Sequence, residues 1–227
     1  MCSSYIDPED LTLEEGAFLV KLARRAVENY VTRGVVIELP EDTPQKLKNL
    51  GASFVTLLKI KGTEARELRG CIGYVKPIEP LAMNVIHASI AAATEDPRFL
   101  PVDPRELTEI IFEVSVLSKM VEISRDPKKR PSEFLIGRDG LMVEYSFYGG
   151  LLLPEVPVEY CWDSETFLAE TCFKAGLSPD CWLNERVRVF RFSAKTFKEV
   201  SPNGDVVLRD LMKEYITNCR QEITKTR

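Results

Sequence analysis

The chain has 227 residues, 44% of them hydrophobic and 29% charged, an ordinary globular composition with room for one large or two small cored domains. A formal net charge of −5 disfavours nucleic acid and anionic membrane surfaces as partners. No stretch is apolar for long enough to span a bilayer, and Met1–Asp10 lacks a basic segment followed by an apolar core, so the expected location is cytoplasmic.

Thr12-Leu13-Glu14-Glu15 is a capping-box signature, with Thr12 as N-cap. Leu19, Leu22, Ala23, Ala26, Val27 and Tyr30 recur at helical spacing, and Gly34 ends that helix. Glu41–Gly51 is polar and reads as a loop or short helix. Phe54–Ile60 is a strand, Lys61–Glu64 a turn, and Glu67–Tyr74 a second strand pairing back.

Leu68-Arg69-Gly70-Cys71-Ile72-Gly73 is the densest chemistry in the chain. Two glycines three apart weaken a strand, so they require a bulge or a close approach by a backbone or ligand. Arg69 and Cys71 are two apart and share a face if the strand is regular. A guanidinium beside a thiol favours the reactive thiolate, and N–H groups at a Gly-Cys-Ile-Gly kink make an anion-binding nest. The competing reading makes Cys71 a small buried hydrophobe and both glycines structural.

Pro77 and Pro80 mark a turn, with Pro80 suited to the first position of a helix over Leu81–Thr94. That helix is apolar on nearly every side and therefore mostly buried. His87, on this helix, is the only histidine in the sequence. Paired with Cys71 it would be a minimal nucleophilic arrangement, although a structural role suits a lone histidine equally. Asp96-Pro97-Arg98-Phe99 ends the helix, because proline disfavours helical backbone at Asp96. Asp96 and Arg98 either tie this turn down as an ion pair or present Arg98 as a second anion contact beside Arg69. Ile110–Leu117 alternates as a strand, and Glu113 on its polar face is a candidate carboxylate and base.

Arg125, Lys128, Lys129 and Arg130 read as a solvated loop. Asp139-Gly140 between two apolar runs is a hairpin signal. Leu151-Leu152-Leu153-Pro154 reads as core or as an apolar wall. Asp163 or Ser164 caps a helix over Glu165–Lys174, with Gly176 just past its end. Val187–Phe192 is a late strand, Pro202-Asn203-Gly204 a break, and Asp205–Ile223 a terminal helix with a frayed polar end.

Six cysteines lack any Cys-x-x-Cys spacing, and with one histidine they make no zinc set, so no metal or other cofactor is expected. Reduced thiols are the cytoplasmic default. Abundant charge with only two glutamines leans toward a thermophile, where a disulfide among Cys161, Cys172 and Cys181 becomes admissible.

Leu68–Gly73, Asp96–Phe99, Glu113–Ser118, Gly150–Pro154 and Phe173–Leu177 together resemble the AMMECR domain family, in the family's order across Ala52–Trp182. Glu155 departs from the glutamine expected after Leu-Leu-Leu-Pro. The resemblance implies an α/β fold in two sub-lobes with the Cys71 motif facing a cleft, and no settled activity. Microbial relatives encoded beside radical-SAM and Memo-like proteins imply a modification pathway.

The fold expected is α+β, with antiparallel sheets and flanking helices, one domain in two sub-lobes with a cleft between them. Residues 12–200 would form that domain, and residues 201–227 a helix and tail packed on it. There is no Rossmann fingerprint or Walker loop. Function divides into two readings. One is an enzyme or modification-pathway component, with Cys71 as thiol, Glu113 or His87 as base, and Arg69, Gly70, Gly73, Asp96 and Arg98 holding a small anionic ligand. The other is a non-catalytic module binding a peptide or protein at the same place. Oligomeric state is not legible.

Overall fold

The computed structural model describes residues 5–61 and 65–223. The turn expected at Lys61–Glu64 and the frayed carboxyl terminus fall largely outside them. In chain order the elements are α1 (Leu13–Arg33), β1 (Ala52–Lys61), β2 (Ala65–Tyr74), α2 (Leu81–Thr94), β3 (Ile110–Leu117) and β4 (Val121–Glu122). Next come β5 (Asp139–Tyr145), β6 (Tyr148–Leu152), α3 (Glu155–Glu159), α4 (Ser164–Lys174), β7 (Arg188–Glu199), β8 (Val206–Leu208) and α5 (Leu211–Ile223). Every strand pairing given by register is antiparallel, and the fold is α+β. Backbone contacts gather the chain into two compact units: residues up to Ser118 with Lys195–Arg209, and Lys119–Ala194 with the segment from Asp210 onward.

In the first unit the strands run β2-β1-β3, then the end of β7 and β8. The Thr12–Glu15 capping box forms as its spacing demands, and Gly34 closes α1 in the left-handed conformation at φ 69°. Val55, Leu57, Ile110, Phe112, Val114 and Val116 present one sheet face to the apolar sides of α1 and α2. Each fully buried side chain of this size contributes roughly 1.5–3 kcal/mol. Arg24 of α1 lies inside this core. It donates from Nε (2.7 Å) and Nη2 (2.6 Å) to the two carboxylate oxygens of Glu199, and further to the carbonyls of Leu107 and Ile110. Helix α2 is buried almost all round because its alanines let the sheet approach closely. Pro80 serves as the N-cap of α2 rather than its first residue.

The second unit stacks β4-β7-β5-β6 against α4, around Phe134, Leu141, Val143, Phe167, Leu168 and Val189. Asp163 caps α4 by accepting from the Thr166 N–H. Four expectations change in the structure. The hairpin turn is at Ser146-Phe147, between β5 and β6, not at Asp139-Gly140. Asp139 is fully buried and accepts from the Leu135 N–H, while a side chain at Gly140 would strike the Phe192 ring, so both belong in the strand. Arg130 is not solvated: it is wholly buried, donating to the carbonyls of Ser124, Trp182, Asn184 and Val187. Val206–Leu208 pairs with β7, so the terminal helix begins only at Leu211. The reduced-thiol default also fails. Cys172 bridges Cys181, and Cys161 bridges Cys219, which lies outside the expected trio of Cys161, Cys172 and Cys181.

Candidate functional site

Strand β2 is an edge of its sheet, and its register slips within the motif. Leu57 faces Gly70 while Leu58 faces Leu68, so Arg69 is the extra residue of a bulge. The slip breaks the alternation that would have put Arg69 and Cys71 on one face. Arg69 instead donates to both oxygens of Glu106 (3.1 and 2.9 Å) and to the carbonyls of Leu100 (3.0 Å) and Pro101 (3.4 Å). The Arg69 hydrogen bonds to Glu106, then those from the Asp103 N–H and Lys59, hold the Glu106 carboxyl at about 2 against the opposing effect of its burial. Lys59 reaches the same carboxylate at 2.9 Å.

Both glycines have internal reasons to be glycine. A Cβ at Gly70 would lie 2.0 Å from the carbonyl oxygen of Ala92, on α2. A Cβ at Gly73 would lie 2.3 Å from the Phe54 ring, its partner across β1. The bulge and the close approach are thus made within the chain itself.

Cys71 sits opposite Thr56, so its own N–H and C=O point outward from the sheet edge. The turn after α2 meets them both. The Asp96 carboxylate accepts the Cys71 N–H at 2.8 Å, and Arg98 donates to the Cys71 carbonyl at 3.4 Å. Arg98 also forks onto Asp96, at 2.9 and 2.6 Å. That guanidinium is the main reason the buried Asp96 carboxyl is pulled down to about 2, although burial opposes it. Asp96-Pro97-Arg98 therefore does tie the turn down. Yet the Arg98 side chain is 51% exposed, and its pairing with Asp96 first, then its proximity to the Cys71 sulfur, raise its pKa above the ordinary value against the opposing effect of burial.

The Cys71 thiol is partly exposed and receives the Thr56 hydroxyl at 3.3 Å. Thr56 faces Glu113 across β3, so Cys71, Thr56 and Glu113 form one cross-strand row. Glu113 is 2% exposed and lies 3.4 Å from Arg209 through both carboxylate oxygens. The ion-pair partner of Glu113 is therefore Arg209 rather than Arg69 or Arg98, and no local signal near Pro202-Asn203-Gly204 pointed to it. Thr56 was missed for the same reason, being brought in by register, whereas Glu106 carried a local signal in the Asp103–Glu106 capping-box spacing.

His87 is placed elsewhere. Ser53 reaches Asn84 of α2, and Gly70 meets Ala92, so α2 covers the face of odd-numbered β1 residues. Cys71 shares the other face with Thr56, and the Cys71–His87 pair does not assemble. His87 Nδ1 is 2.9 Å from Glu79 instead. Among the described residues no group of three or more His, Cys, Asp or Glu is arranged to hold a metal ion. Among them, too, no helix is long and apolar enough to cross a membrane.

A protein of Thermococcus gammatolerans is 53% identical over 199 residues, covering 88% of this chain and 97% of the relative. A protein of Thermofilum pendens is 53% identical over 207 residues, with the same coverage of each. The crystal structure of the uncharacterized protein PH0010 from Pyrococcus horikoshii superposes with a TM-score of 0.83 at 49% identity, over 87% of this chain and 97% of that one. These relatives come from thermophilic archaea, in keeping with the charge balance of the sequence. The family model of AMMECR1 matches residues 20–197, from within α1 to within β7 and so across the Cys71 motif, and the chain belongs to the AMMECR1 family.

Proposed function

We propose that the chain is an enzyme or modification-pathway component that acts on a small anionic ligand, with Cys71 as its thiol. One observation carries this reading: Cys71 lies outside both disulfides, is part-exposed, and is supported by a hydroxyl donor and a cation. A donor to sulfur and a nearby guanidinium both favour the thiolate. Arg69 is already engaged by Glu106, so Arg98 is the anion contact, with Asp96 fixing its direction. Glu113, one strand further along the row, is held by Arg209 and orients Thr56 and the thiol in this reading. The location that fits is cytoplasmic, and in a thermophile disulfides do not contradict it.

The test is alkylation by iodoacetamide, read by peptide mapping against pH. Cys71 is expected to label faster at neutral pH than a cysteine in an unstructured peptide, and to slow in Arg98→Gln. Labelling at the peptide's rate, indifferent to Arg98→Gln, would remove the thiol from the proposal.

A second reading, a non-catalytic peptide- or protein-binding module, is favoured by apolar side chains left exposed on segments flanking the motif. Tyr74 is 40% exposed, and Ile78 and Leu100 are both 83% exposed. Cys71→Ser would leave such binding intact while abolishing an activity of the thiol, which separates the two.

A further inference from the structure

A cavity of about 620 Å³ opens beside the end of β2, on the side covered by α2. Its lining includes Tyr74, Val75, Lys76, Ile78, Glu79 and His87. The volume is that of a small-molecule site, and most of the wall is apolar with a few polar groups. Three features define what would occupy it.

The first is the direction of His87. The Glu79 carboxylate accepts from Nδ1 at 2.9 Å, which leaves Nε2 as the acceptor of the ring whenever it carries a single proton. Nε2 is then a lone-pair acceptor, and it makes no hydrogen bond among the described residues. A ligand donor, hydroxyl or N–H, satisfies it. The second is Lys76, exposed at the cavity and without an ion pair among the described residues. The one carboxylate in the lining, Glu79, is taken by His87, so Lys76 is available to an anionic group. The third is the apolar wall. Val75 and Ile78 offer aliphatic surface, and the Tyr74 ring offers a flat face. Burial, then the charges of Glu95 and Glu79, raise the Tyr74 hydroxyl above its ordinary value, so it stays a neutral donor.

We propose that this cavity binds a small planar monoanion carrying a hydroxyl or N–H donor, with Lys76 meeting the charge, His87 Nε2 accepting the donor and Tyr74 facing the ring. The site lies on the opposite face of β2 from the Cys71 thiol and does not depend on it.

His87 gives the assay its reporter, because one histidine in the chain means a single pair of imidazole C–H signals in the proton spectrum. The probe is 4-hydroxybenzoate, titrated into the full chain, with benzoate and tyramine in parallel. The expected result is a saturable shift of the His87 ring signals by 4-hydroxybenzoate, weaker binding by benzoate, and none by tyramine. Lys76→Gln is expected to weaken 4-hydroxybenzoate roughly fivefold, the scale of one partly exposed charge contact. The unperturbed His87 signal of that variant verifies that its fold is intact. No shift at millimolar probe, equal response to tyramine, or an affinity unchanged in Lys76→Gln would each overturn the proposal.

Discussion

Replacing Gly70 with alanine is the sharpest probe of how the motif is built. The added Cβ would lie 2.0 Å from the Ala92 oxygen and 3.1 Å from its carbonyl carbon. An ordinary carbon–oxygen contact is about 3.3–3.6 Å, so the overlap exceeds 1 Å. The obstructing group is helix backbone, which has no rotamer by which to escape. Either β2 or the end of α2 must move, and the Asp96 bond to the Cys71 N–H spans that same junction. Overpacking of a core typically costs 1–3 kcal/mol. With backbone against backbone the upper end applies, about 3 kcal/mol. At the 2–4 °C per kcal/mol usual for chains of this length, the melting point drops by roughly 6–12 °C. Calorimetry and guanidinium unfolding measure it, with Gly149→Ala as control. There the nearest atom to a new Cβ is 3.7 Å away, and the change should stay within about 0.5 kcal/mol. A Gly70→Ala protein melting together with that control would refute the close-approach argument.

Three further outcomes follow from the same geometry. Asp96 titrates at about 2 in the fold against an ordinary 3.8, so its contribution is full above the ordinary value and is lost as pH falls through the folded one. This amounts to about 2 kcal/mol, and Arg98→Gln should flatten the acid limb of a stability–pH curve between roughly pH 4 and pH 2. Glu199→Ala leaves Arg24, 5% exposed, as a buried charge and removes the acceptor of the Phe112 N–H, for a loss of about 3–5 kcal/mol in denaturant unfolding. In a double-mutant cycle with Arg24→Met the losses should be far from additive, and additive losses would contradict the pairing. Non-reducing peptide mapping should recover Cys172 with Cys181 and Cys161 with Cys219. By chain entropy, loops of 9 and 58 residues make reduction cost about 3 and about 4 kcal/mol, and a melt unmoved by reductant would contradict the bridges.

The sequence by itself determined what local rules govern. The Thr12 capping box, the Gly34 stop, the β1–β2 pairing, the buried alanine-rich α2, the turn at Asp96 and the Asp163 cap all follow from neighbours within a few residues. It also located the motif and supplied the resemblance that identifies the family. The tertiary structure alone decided who meets whom. A single bulge residue moved Arg69 out of the alternation that pairs it with Cys71, and no periodicity predicts a bulge. Arg130 left its basic run for the interior because four carbonyls from distant segments converge there. Arg209 reached Glu113, Cys219 reached Cys161, and Glu79 oriented His87 by the same route. Charges and thiols act over a few ångströms of space, and separation along the chain says little about that distance once the sheet and helices have packed.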